Sequence, residues 1–429
     1  MTRWRIRDAL VVDPFRRIVR REDVGVADGR VVPLAQVADA PEARFPGCWV
    51  VPRVTDLHVH LRDPGQTWKE DWQSGTRAAA AGGVTVIAVM PNTVPVADQP
   101  ALIRRMQAPD AGRAPVHVWP IAAVTRRSGG REAAPWAALA EAGARAFSDD
   151  GRPVSDSGIL ARILSWSRDS RRPVIQHLED LALSAGGVAH AGPAADRWRL
   201  PGIPAAAESV MAWRDVALLD EVGGFLHFAH CSVPGTLEAL EWGRRRGLHL
   251  TGEAAPHHLL LTEAALSEWQ GSAVTKVNPP LRPASFREAL RAAVARGVVD
   301  VVASDHAPHA RAEKELPYRE APFGISGLET LVAVTLTVLR GEMGLGPLEA
   351  LGPLTVGPHR VMGDTFPGLV PGAPADVTVI DPDAHWTVDP SAFYSRGRNT
   401  PLAGHTLIGR PVATMLAGRF TYRDGEVLS

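Results

Sequence analysis

The chain has 429 residues, 45% of them hydrophobic, and a formal net charge of -1. That balance leaves no basic footprint for nucleic acid, no apolar run is long enough to cross a bilayer, and two cysteines, Cys48 and Cys231, exclude a disulfide framework. Cys231, which follows a histidine, reads as a small buried packing residue. The charged start "MTRWRIRDALVVDP" lacks the apolar core of a signal peptide, so a cytoplasmic protein is expected. The length exceeds the ~250–300 residues that one hydrophobic core sustains, which predicts more than one domain.

Up to about Trp49, "DALVVDP", "DVGVADGRVVPL" and "GCWVV" read as short strands separated by turn dipeptides. Eight β-branched runs follow: Val50–His58, Val84–Met90, Val116–Ala122, Ala144–Ser148, Pro173–His177, Phe225–His230, Leu248–Gly252 and Val299–Ser304. Between them lie amphipathic stretches such as "DWQSGTRAAAA" and "GTLEALEWGRRRG". Strand alternating with helix eight times predicts a (β/α)8 barrel over residues 51–363. The segment 309–321, "HARAEKELPYREA", reads as a mobile loop over the barrel mouth. Beyond Phe366 short strands and Gly/Pro turns return, so residues 1–50 and 364–429 are expected to pack together as one small β-sandwich domain.

In such a barrel, chemistry sits at the C-terminal ends of the strands. The first run ends in "HVHLR", which places His58, His60 and Arg62 at alternate positions and therefore on one face of a strand. Two imidazoles converging on one point suit a metal, and a guanidinium beside them suits an anion. The second run ends near Asn92, the fourth at Asp149 and Asp150, the fifth at His177, the sixth at His230, and the eighth at Asp305, His306 and His309. Metal-ligand residue types thus finish five of the eight runs, which predicts metal binding. In "ARAFSDDG", the small residues Ala144, Ala146 and Ser148 share a face with Asp150, so Asp150 is expected to point inward, with Asp149 as the second choice. His227, His257 and His258 are read as structural.

Taken in order, "DLHVHLRDPG", "MPNT", "FSDDG", "KVNPPLR", "SDHAPH" and "APFGISGLET" resemble the bacterial class I dihydroorotases of the amidohydrolase superfamily. The resemblance implies that His58, His60 and Asp305 hold one zinc, that His177 and His230 hold a second, and that Asp150 bridges the two. It implies that Arg62, Asn92 and His309 take the α-carboxylate of the substrate beside His60. Asn278 and the backbone at Phe323 and Gly324 would close over the ring. The implied reaction is the reversible cyclisation of N-carbamoyl-L-aspartate to L-dihydroorotate in pyrimidine synthesis, with Asp305 as general base and acid. One or two zinc ions per subunit fit the residue types. A homodimer is implied, and docking to aspartate transcarbamoylase is left open.

Two other readings compete. Hydantoinases, dihydropyrimidinases and allantoinases share the barrel and the paired histidines, but many bridge their metals with a carboxylated lysine at the end of the fourth strand. This chain has no lysine between Lys69 and Lys276. A non-catalytic scaffold supporting aspartate transcarbamoylase would have lost ligands, whereas every ligand type is present here.

Overall fold

Eight parallel strands lie side by side in the order in which the chain makes them: β1 (Thr55–Val59), β2 (Val86–Val89), β3 (His117–Ala122), β4 (Ala146–Phe147), β5 (Val174–Gln176), β6 (Leu226–Phe228), β7 (Leu250–Ala254) and β8 (Val301–Val302). A parallel bridge between Val59 and His306, just beyond β8, brings the two edges together. This is the expected (β/α)8 barrel, seen in a computed structural model that describes residues 2–107 and 114–428.

The strands form because their residues are buried on both faces, which suits the β-branched runs. Leu57, Ala88, Ile121, Ala146, Ile175 and Val301 fill the barrel interior. Their neighbours turn outward onto the helices: Phe147, next to Ala146, packs edge-on against Trp166 of the helix Ser157–Ser170, with ring centroids 5.1 Å apart. The stretch "DWQSGTRAAAA" forms the helix Trp72–Ala81, whose N-terminus is capped by the Asp71 carboxylate accepting from the Ser74 amide at 2.7 Å.

Both termini contribute to a seven-stranded sheet. In it Trp49–Pro52 pairs in parallel with Leu10–Asp13 on one side and antiparallel with Val377–Thr387 on the other. A four-stranded sheet built from residues between Arg3 and Arg44 lies nearby, and Ile6, Val26, Val50, Val379, Met415 and Phe420 share one buried cluster. The run read as a single strand from Val50 to His58 is therefore two strands in two sheets. The break is at Arg53, whose φ of 28° cannot continue an extended strand.

Arg53 turns there to meet Asp376. Its Nε and one terminal nitrogen donate to Asp376 Oδ2 at 3.0 and 2.6 Å, His117 Nε2 lies 3.1 Å from the same oxygen, and the Ala417 amide donates to Oδ1 at 2.9 Å. This buried carboxylate joins the terminal sheet to the start of β1 and β3. Burial would raise the Asp376 carboxyl, but His117 and Arg53 outweigh it and hold it at about 2. Its stabilisation is complete above the unfolded-state value of ~3.9 and is lost as pH falls toward 2. Asp376→Ala is expected to cost roughly 1–3 kcal/mol, because it removes the main partner of a partly buried guanidinium that keeps, among the described residues, only Asp364 at 3.6 Å as a carboxylate partner. Thermal denaturation checks this: the midpoint should drop clearly at pH 7, and the gap to wild type should narrow as pH falls below about 4.

Candidate active site

At the end of β1 the backbone departs from regular pairing between Asp56 and Val59. The irregularity lets Leu57 and His58 both face inward; thereafter Val59 and Leu61 pack in the outer core, leaving His60 and Arg62 to alternate toward the barrel mouth. The buried Asp56 carboxylate fastens this edge, accepting the amides of His58 at 3.2 Å and Ser304 at 2.9 Å. Burial pushes Asp56 up to about 7. Arg62, His230 and Asp305 all sit in the left-handed region, with φ of 57°, 33° and 46°. Such strain costs about 1–3 kcal/mol per residue and concentrates where function fixes a side chain.

Four imidazoles from three strands surround one carboxylate. Asp150 Oδ2 lies 3.3 Å from His58 Nε2 and 3.5 Å from His60 Nε2, while Oδ1 lies 3.4 Å from His177 Nδ1 and 3.5 Å from His230 Nε2. Asp305 Oδ1 completes one side, 3.6 Å from His58 Nε2 and 3.4 Å from His60 Nε2. Asp149 turns away and binds the Thr125 amide and hydroxyl. Burial opposes ionisation of Asp150, but His58, His177 and His230 hold its carboxyl well below the usual range. Burial likewise disfavours protonation of the imidazoles; at His58 the charges of Asp150 and Glu253 outweigh it, while at His60 burial prevails.

These donors fit a cation. Candidate ligand atoms of His58, His60 and Asp305 lie within 4.8 Å of one another, as do those of His58, Asp150 and His230. The buried atoms His58 Nε2 and Asp150 Oδ1 have no hydrogen-bond partner, a cost of about 1–3 kcal/mol each that a cation would remove. Carboxylates and an amide orient the rings from behind, as metal-ligating histidines require. Glu253 Oε1 holds His58 Nδ1 at 2.6 Å, Glu179 Oε2 holds His177 Nε2 at 2.9 Å, and Asn92 Oδ1 holds His60 Nδ1 at 2.8 Å. Burial would raise Glu253, but His58 and His227 hold it down to about 2.

An open cavity of about 560 Å³ faces this cluster, lined by His60, Arg62, Asn92, Asn278, Phe323 and Gly324 among others. Burial lowers the Arg62 guanidinium to about 10, still charged at neutral pH. Asn278 donates to Glu179 Oε2 at 3.0 Å. His309 lies beside Gly324, and both its ring nitrogens are engaged, Nδ1 by Lys69 Nζ at 3.2 Å and Nε2 by the Phe323 carbonyl at 2.7 Å. His227 braces Glu253 at 3.1 Å, and His258 bonds the Pro279 carbonyl at 2.9 Å. Cys231 is fully buried.

Sequence reasoning missed Glu253, Glu179, Asp56 and Lys69. Glu253 had a usable signal. It stands at the end of β7, as the ligand candidates stand at the ends of other strands, but the run read as Leu248–Gly252 stopped one residue short of it.

A family profile described as "Dihydro-orotase-like" matches residues 47–235. A curated dihydroorotase of Pelotomaculum thermopropionicum is 45% identical over 98% of both chains, and one of Anaeromyxobacter dehalogenans is 43% identical over 97% of both. Among solved structures, an L-hydantoinase of Arthrobacter aurescens superposes with a TM-score of 0.88 at 24% identity, covering 100% of this chain and 98% of its own. A dihydropyrimidinase of Brevibacillus agri gives 0.85 at 21% identity, covering 99% and 96%. Those structural likenesses speak for the fold, and the full-length sequence identities speak for kinship. The chain belongs to the dihydroorotase-like family of amidohydrolases.

Proposed function

We propose that the protein is a dihydroorotase of the class I type that uses zinc and interconverts N-carbamoyl-L-aspartate and L-dihydroorotate in pyrimidine synthesis. The observation that carries this reading is a single cavity lined both by a histidine–carboxylate cluster and by Arg62, Asn92 and Asn278. The cluster suits attack on an amide, and Arg62 suits an anionic substrate. Full-length similarity to curated dihydroorotases supports it. Asp150 occupies the place between the imidazole pairs that a carboxylated lysine fills in many hydantoinases, and a plain hydantoin offers Arg62 no anion.

His58, His60 and Asp305 would hold one cation, and His177 and His230 a second, with Asp150 between them. Nitrogen-rich sites completed by carboxylate suit zinc. When bound, such a cation supplies Lewis acidity and makes water a stronger acid. Arg62 binds the α-carboxylate, its planar fork matching two oxygens. Asn92 spends its oxygen on His60, which leaves its amide nitrogen as a donor for the same group. Gly324, at φ 123°, brings the backbone close: a Cβ there would meet the Ala307 carbonyl at 2.5 Å. Burial would raise Asp305, but His58, His60 and His230 hold it well below the usual carboxylate range, so it is ionised at neutral pH and offers oxygen lone pairs toward the cavity. In ring opening Asp305 takes the proton of the attacking water and delivers it to the departing ring nitrogen. In ring closure it takes the proton from the ureido nitrogen as that nitrogen bonds to the side-chain carboxyl carbon, and delivers it to the departing oxygen, which leaves as water.

The direct test is an assay of both directions on purified protein together with metal analysis. Zinc-free protein that is inactive after zinc addition would sink the reading. Asp305→Asn is expected to lower kcat by about 10²–10⁴-fold, with an unchanged circular-dichroism spectrum. Arg62→Met should raise KM for dihydroorotate strongly, at a loss of roughly 1.5–3 kcal/mol in kcat/KM, and leave the melting temperature near wild type. Glu253→Gln should weaken metal affinity by about 10–100-fold, seen as faster loss of activity in a chelator titration.

A further inference from the structure

All but three of the 46 basic residues are arginine, and the three lysines meet at one place. Lys69, Lys276 and Lys314 are buried, at 7%, 2% and 4% exposure, where lysine is seldom found. Lys276 Nζ donates to the carbonyls of Tyr318 at 2.8 Å, Arg319 at 3.2 Å and Ala321 at 2.6 Å. Lys314 Nζ donates to the carbonyls of Pro322 and Gly324, both at 2.9 Å, and of Lys276 at 3.3 Å. Lys69 Nζ reaches His309 Nδ1 at 3.2 Å and Glu313 Oε1 at 3.0 Å. Apart from the Lys276 carbonyl, every acceptor belongs to residues 309–324. The stretch read from sequence as a mobile loop is therefore tied down at several carbonyls.

The chemistry suits lysine at positions 276 and 314. An ammonium is a compact cation with three N–H groups, and each carbonyl triad converges on a point; a planar guanidinium fork does not fit such a triad. Burial pushes Lys276 down to about 8 and, with the charge of Lys276 nearby, Lys314 to about 7, while the carbonyls accept the N–H groups that burial takes from water. Lys69 acts one step further out. By donating to His309 Nδ1 it leaves the ring proton on Nε2, which donates to the Phe323 carbonyl at 2.7 Å. Burial, helped by the charges of Arg62, Lys69 and Lys314, holds His309 neutral, near 2.

We infer that Lys69, Lys276 and Lys314 are positioning residues for substrate recognition, which fix the 309–324 segment so that Phe323 and Gly324 form one wall of the cavity and His309 keeps one tautomer. This rests on the proposed dihydroorotase reading. The test uses metal-loaded, full-length enzyme as wild type, Lys314→Met, Lys314→Arg and Lys69→Met, with amide hydrogen exchange measured without substrate and steady-state kinetics on dihydroorotate. All three variants should lose protection in 309–324 by about tenfold or more, with the barrel strands unchanged. KM should rise by about tenfold while kcat stays within about threefold and metal content is constant. Lys69→Met should also shift the ¹⁵N resonances of His309 toward the other tautomer. Unaltered exchange in 309–324, a fall in kcat at constant KM, or full rescue by Lys314→Arg overturns the inference. If Lys314→Met does not fold, Lys69→Met decides by the same readouts. Wild-type enzyme that fails to turn over dihydroorotate would sink the proposed function, whereas the exchange contrast needs no substrate and judges the lysines separately.

Discussion

The Asp150 carboxylate lies within 3.5 Å of imidazoles from the ends of β1, β5 and β6 and so draws three strand ends together. A negative charge buried this deeply is tolerable only with cationic or metal partners. The requirement propagates outward: Glu253, Glu179 and Asn92 fix the rings, Asp56 ties β1 to β8, and three left-handed residues are strained to aim their side chains. The barrel supplies the rigidity that makes such strain affordable.

Much of this was legible in the sequence. Eight buried strands announced themselves as β-branched runs, and residue parity placed Ala146 inward and Phe147 outward, as the interior and helix-facing clusters have them. The alternation of His58, His60 and Arg62 was legible for the same reason. What periodicity could not carry was local backbone geometry. The break at Arg53 depends on one positive φ, driven by a carboxylate 323 residues away. The irregular pairing between Asp56 and Val59 likewise left no mark in the alternation of residue types. His309 belonged to the right neighbourhood, but whether its nitrogens face a ligand or the protein is decided by Lys69 and the Phe323 carbonyl, both remote in sequence.

Composition told more than it first did. The scarcity of lysine excluded one kind of metal bridge. In a chain whose cations are nearly all arginine, Lys276 and Lys314 each stand where backbone carbonyls converge on a point.

Between Pro52, in the terminal sheet, and Thr55, the first residue of β1, only Arg53 and Val54 intervene. The strand bearing the paired histidines thus emerges directly from a sheet stitched together from both ends of the chain. Its position is shared between that sheet's hydrogen-bond ladder and its own pairing with β2. A lesion in Val377–Thr387 that disturbed the ladder would strain the strand bearing His58 and His60 without touching any group in the cavity. Distant C-terminal damage and active-site damage would then look alike in an assay.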